Sequence, residues 1–146
     1  MARNCRRSNL GVGAAYAVNS AGEVVGGVSL GSKSDCNLVR KKIGPAMLWR
    51  NGKAIALTAF DGIAYGISDR GTIVGTMGSV CAERYARGFV ADADAVTPQA
   101  RPLDELVAGL NGRHIVAAFG IDAAGRILCI VAATSRDAHL AVLIPQ

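Results

Sequence analysis

AYAVNSAGEVVG (15–26), AYGISDRGTIVG (64–75) and AFGIDAAGRILC (118–129) align without a gap, at offsets of 49 and 54 residues. Self-similarity at such a spacing is the mark of stacked structural modules. Tyr16, Tyr65 and Phe119 stand between small residues and are followed two places on by Val18, Ile67 and Ile121. That alternation predicts a strand with one large and one small face. Asn19, Ser68 and Asp122 come next, each three residues ahead of Gly22, Gly71 and Gly125. A short polar side chain opens a turn by bonding to backbone two residues on. Glycine closes it in the left-handed conformation, which costs another L-residue roughly 1–2 kcal/mol. The polar residues that follow (Glu23, Thr72 and Arg126) are expected to face out. Val24-Val25, Ile73-Val74 and Ile127-Leu128 begin the returning strand.

Each hairpin leads into a second half-unit. PAMLWRNGKAIALT (45–58) reads as strand, Asn51-Gly52 turn and strand, and Asn-Gly between apolar runs is a strong short hairpin signal. RGFVADADAVTPQ (87–99) holds the same place in the second unit, and HLAVLIP (139–145) supplies one strand in the third. The units therefore run over about 14–60, 63–103 and 114–146, each a meander of up to four strands, the last lacking its fourth. Arg3–Gly13 is one candidate for that strand. RPLDELVAGL (101–110) breaks the pattern; its proline entry and early acids predict one short helix near 103–109. The expected class is all-β, propeller-like, with about three blades in a single domain. An irregular β-sandwich is the alternative. Three blades do not normally close a ring, since propellers use four to eight. A homo-oligomer, in the simplest case a dimer joined through the first and third units, is the expected way to cover the terminal faces.

Composition agrees with a turn-rich β domain. The 146 residues include 25 alanines and 18 glycines against seven aromatics, and 51% are hydrophobic, which excludes disorder. The longest apolar runs are too short for a membrane span. MARNCRRSN followed by LGVGAAYAV imitates a secretory signal, but its second half belongs to the first repeat, so no targeting signal is read. Cys5, Cys36, Cys81 and Cys129 are 31, 45 and 48 residues apart, with no CxxC pair, which disfavours zinc and fits reduced structural thiols. No cofactor is expected.

The segments resemble the HAF repeat of bacterial proteins described as probable extracellular repeats. The pattern A-x-x-I-N-x-x-G-x-I-V-G, followed by a strand like A-F-L-W and a glycine turn, is similar to 15–26 with 46–52 and to 64–75 with 88–90. AFGIDAAGRILCIVAATSRDAHLAVLIP resembles the common last repeat. The resemblance covers about 15–145 and departs from the family in the long first-unit insertion at 31–44. It implies an extracellular setting, with a cytoplasmic one as the alternative. It transfers no catalytic residue.

Function is less legible. Residues 1–53 carry nine Lys or Arg against two acids, whereas 54–146 carry seven Arg against nine acids. A net charge of +5 permits an anionic partner, but the cations are scattered and no nucleic-acid signature is present. Meander geometry sends the tight hairpins to one end and the long loops to the other, where binding groups usually sit. The candidate ligand contacts there are Lys33, Arg40, Lys41, Lys42, Arg84, Tyr85 and Arg136, with His114 and His139 nearby. Asn19, Gly22, Asn51, Gly52, Ser68, Gly71, Asp122 and Gly125 are read as structural turn residues. Trp49 is expected to be half-packed and is a candidate sugar platform. No G-x-S-x-G, Walker A, HExxH or dinucleotide fingerprint is read. The leading expectation is a non-enzymatic β-repeat module that binds an anionic or carbohydrate partner or assembles with itself. A small propeller-type hydrolase or lyase using Asp61, Asp92 or Asp94 is the alternative.

Overall fold

A computed structural model describes residues 4–28, 44–78, 86–134 and 136–146. The first repeat forms β1 (Ala14–Val18) and β2 (Val24–Gly27), continued by β3 (Ala46–Arg50) and β4 (Lys53–Ala56). The second forms β5 (Gly62–Ile67), β6 (Thr72–Met77), β7 (Arg87–Asp92) and the two-residue β8 (Arg101–Pro102). The third forms β9 (His114–Ile121), β10 (Ile127–Ala132) and β11 (His139–Leu143). Each group is its own antiparallel sheet, in the orders β1-β2-β3-β4, β5-β6-β7-β8 and β9-β10-β11. The all-β expectation holds, and the sheets are blade-like meanders of three or four strands. None closes into a barrel.

The turn chemistry explains why these sequences pair where they do. Asn19, Ser68 and Asp122 each receive the glycine amide on the backbone carbonyl, at 3.0 Å in all three units. Gly22, Gly71 and Gly125 have φ of +78°, +85° and +81°, the left-handed conformation the spacing demands. The side-chain bond reaches further than expected. Asn19 Oδ1, Ser68 Oγ and Asp122 Oδ1 accept from the amides of Glu23, Thr72 and Arg126, four residues on, and only Asp122 also accepts from the residue two on. Asn51 and Gly52 both have positive φ, the requirement of a type I′ hairpin.

Strict alternation fails at one column, and it fails three times. Tyr16, Tyr65 and Phe119 are each skipped in the register of their sheets: Ala15 and Ala17 face Gly26 and Val25, Ala64 and Gly66 face Gly75 and Val74, and Ala118 and Gly120 face Cys129 and Leu128. A bulge gives the extra residue a direction that neither face of a regular strand provides. The three rings use it to meet across the sheets. Tyr16 packs edge-on to Tyr65 at 5.2 Å between centroids, and Tyr65 packs against Phe119 at 5.2 Å. Spacings of this kind add roughly 0.5–1.5 kcal/mol per pair beyond buried area.

The sheets stack face to face in chain order. Val25, Ala46 and Leu48 of the first sheet meet Ile73, Phe89 and Ala91 of the second in one core. Val74 of the second sheet and Leu103 after it meet Ile115, Ala118, Ile127 and Cys129 of the third in another. Alternate residues of β6 thus serve opposite neighbours, Ile73 backward and Val74 forward. Of the largest fully buried side chains, Val25, Leu48, Ile73, Val74, Phe89, Ile115 and Cys129 belong to these two cores, and Ile63 of β5 belongs to neither.

Four local expectations are corrected. The helix near 103–109 is a single 3-10 turn, Leu103–Glu105, closed by Leu106 N–H on the Leu103 carbonyl. Gly109 follows at φ +77°, where a helix would not continue. Residues 4–13 form no strand, and among the described residues β11 pairs only with β10. Instead Leu10, Gly11 and Gly13 lie against Trp49, which is 6% exposed rather than half-packed. Glu23 is buried rather than outward. Its carboxylate accepts from Asn19 Nδ2 at 2.9 Å and lies 3.0 Å from Arg50 Nη2, because a buried charge persists only when paired and hydrogen-bonded.

Candidate functional site

Two polar clusters and one apolar face stand out among the described residues. At the hairpin end, Arg50 at the close of β3 bridges two sheets. It pairs with Glu23, donates to the Ala93 carbonyl and lies 3.5 Å from Asp94 Oδ1. Asn19 Nδ2 donates to the Ser68 carbonyl at 3.1 Å, and the Ser20 amide donates to Asp69 Oδ1 at 2.8 Å. That amide holds the Asp69 carboxyl below the usual carboxylate range. These contacts clasp the first sheet to the second. Asn19, Gly22, Ser68 and Gly71 therefore sit where turn residues belong.

At the loop end, the 3-10 turn places Asp104 against the start of β9. Asp104 Oδ1 accepts the Ile115 amide at 2.7 Å, and Oδ2 lies 2.8 Å from His114 Nδ1 and 3.6 Å from Arg87 Nε. The carboxylate accepts, so Nδ1 donates and Nε2 remains the imidazole's other functional atom. Arg113 pairs with Asp137 at 3.5 Å. Asp137 also takes the Thr134 and Ala133 amides, and the Thr134 bond is the main reason its carboxyl is held low. A histidine oriented by a carboxylate is half of a proton-transfer device. Sequence reading placed His114 at this end and gave Asp104 to its own turn. Only the fold brings them together, ten residues apart across the Gly109–Gly112 reversal.

Of the residues proposed to contact a ligand, Arg136 is described: it is exposed, and its amide donates to Thr134 Oγ1 at 3.3 Å. Lys33, Arg40, Lys41, Lys42, Arg84 and Tyr85 lie outside the described residues. The three candidate acids do not converge. Asp61 accepts the Gly44 amide at the loop end, Asp92 accepts the Asp94 amide at the opposite end, and Asp94 faces Arg50. The G-x-S-x-G pattern, read as missing, is spelled by Gly27-Val28-Ser29-Leu30-Gly31. That pattern makes a nucleophile elbow on a strand-to-helix turn, whereas Gly27 ends β2 in an antiparallel meander. Ser29 is outside the described residues.

The third feature is the outer face of the third sheet. Leu128 is the repeat equivalent of Val25 and Val74, both 0% exposed, yet Leu128 is 44% exposed. Their cross-strand partners run in parallel: Leu48, Val90 and Val142. Leu48 is fully buried, whereas Val142 is 54% exposed. Gly120, Leu128 and Val142, with the Asp122–Arg126 ion pair at 2.6 Å, line a shallow groove of about 400 Å³. The Arg126 amide and guanidinium hold the Asp122 carboxyl below its ordinary range. On the inner side of the same sheet, burial pushes the Cys129 thiol up, as it does the Tyr65 hydroxyl in the ring column. Cys129 carries a free thiol. Among the described residues, no cluster of three His, Cys, Asp or Glu can hold a metal ion, and no helix is long and apolar enough to cross a membrane.

Searches against protein-family models, curated proteins and solved structures returned no match.

Proposed function

We propose that this chain is a non-enzymatic β-repeat module that works by binding, with the outer face of its third sheet as the contact surface. One observation carries the reading: the column that is dry in the first two sheets, at Val25 and Val74, is open in the third at Leu128. Sheets of this type bury that column under a neighbour, and an apolar face rimmed by polar residues marks an interaction site. The resemblance to HAF repeats supports the same reading and an extracellular setting. An anionic or carbohydrate ligand at the long-loop end, near Arg136, belongs to this proposal as a secondary contact. Trp49 is not its platform, because the N-terminal segment covers it.

A second reading, a small hydrolase, has the His114–Asp104 pair behind it. The two readings separate in one experiment. Ester, glycoside and phosphoester substrates are assayed with the parent and His114→Ala, beside a thermal-shift screen of sugars, polyanions and apolar peptides. The binding reading expects no turnover that His114→Ala removes, together with stabilisation by at least one binding partner. Turnover that disappears in His114→Ala establishes the hydrolase instead.

A further inference from the structure

We infer that the partner of the open face is a second copy of this chain, packed through the same face about a twofold axis. The inference rests on the binding reading above and specifies its partner. Continuity with the internal interfaces comes first. The Val25–Leu48 and Val74–Val90 pairs each carry the next sheet, and among the described residues the equivalent pair Leu128–Val142 carries none. Ile130 and Leu140, paired two residues further along, extend the apolar strip, and Leu140 is 77% exposed.

That strip is not shaped for a fourth blade stacked as the others are. At the position of the Ile130–Leu140 pair, the first sheet has Gly27–Ala46 and the second has Thr76–Gly88. The small residues are required: a Cβ on Gly88 would lie 2.6 Å from Ile115 Cγ2 of the third sheet. Leu140 in that place would hold a following blade away. The first sheet's outer face is also a poor complement, because Leu10–Gly13 already cover Trp49. What matches a wide, apolar terminal face is another of the same kind, and self-complementary twofold contacts are the commonest closed assembly. Charge permits it. The rim of the groove holds one anion and one cation, Asp122 and Arg126, so two copies related by a twofold can exchange these partners without like-charge contact.

Light scattering after gel filtration and sedimentation equilibrium, over micromolar to high micromolar concentration, test the inference. The variants are Val142→Arg and Leu128→Arg on the face and Val96→Arg as an exposed control remote from it, all checked for parental circular dichroism. The expected result is a parent at twice the 15.0 kDa chain mass, both face variants monomeric, and Val96→Arg dimeric. Leu140→Ala, which leaves the face apolar, is expected to weaken association several-fold without abolishing it. A parent that stays monomeric throughout, or a Val142→Arg variant that dimerises like the parent, overturns the inference. If the parent is monomeric yet a ligand from the thermal-shift screen stabilises it and not Val142→Arg, the binding reading survives while the second copy is excluded.

Discussion

Val74→Ala and Val142→Ala delete the same atoms from equivalent faces of neighbouring sheets, and the fold assigns them different costs. Val74 is 0% exposed, between Ile115, Ala118 and Leu103. Removing two buried carbons forfeits about 0.8 kcal/mol each, and the space left adds to it, for a total of about 2 kcal/mol. At the size of this chain, that lowers Tm by about 4–8 °C. Val142 is 54% exposed on the open face. Its loss costs about 0.5–1 kcal/mol, mostly the strand preference of a β-branched residue. Urea melts of both variants, below the concentration at which copies associate, should share the parent's m-value and differ only in midpoint. If Val142→Ala loses as much as Val74→Ala, or if Val74→Ala melts like the parent, the sheets do not stack in chain order.

Gly71→Val forces a β-branched residue into φ +85° beside Ala93 and Asp94, and should cost about 1–3 kcal/mol in a urea melt. Parental stability would mean that the turn is not left-handed. Asp69, Asp122 and Asp137 have lowered pKa values, so their contribution is present above the unfolded carboxylate value near ~4 and lost as pH falls through the folded values. Thermal melts from pH 6 downward should hold level and then decline below about pH 4, less steeply in Asp137→Asn; a decline that is already steep between about pH 6 and pH 5 would contradict this assignment. Iodoacetamide at mildly alkaline pH should label exposed Cys5 at once and reach Cys129 only in denaturant, as peptide mapping would show. Equal labelling of both in the native protein would place Cys129 outside the core.

The repeat was legible because its information is local. Asn19 to Gly22, Ser68 to Gly71 and Asp122 to Gly125 are turns that a four-residue window specifies, and the Asn51-Gly52 turn carries its own geometry. The strands between them follow. The ring column was not legible, because a bulge at Tyr16 looks in sequence like one more alternating residue. Its signal was available: an aromatic in the same column of stacked repeats brings its copies within reach of one another. The helix expected near 103–109 is cut to a 3-10 turn at Leu103–Glu105 for another reason. Pro102 and the two acids are helix-start signals, but Leu103 is drawn into the core of the third sheet and Asp104 is held by the Ile115 amide, so tertiary contacts stop the turn at three residues. Asp104 with His114 and Glu23 with Arg50 are pairs across elements, which no local pattern encodes.

The stacking of the three sheets in repeat order is tested most directly by proton contacts among three aromatic rings that sequence alone holds 49 and 54 residues apart. With selectively labelled Tyr and Phe, nuclear Overhauser spectra should show ring-to-ring peaks between Tyr16 and Tyr65 and between Tyr65 and Phe119, whose centroids are 5.2 Å apart in each pair. Val74 methyl peaks to Ile115 should accompany them. Rings that show contacts only within their own repeats, with no peak joining Tyr65 to either neighbour, would contradict the architecture.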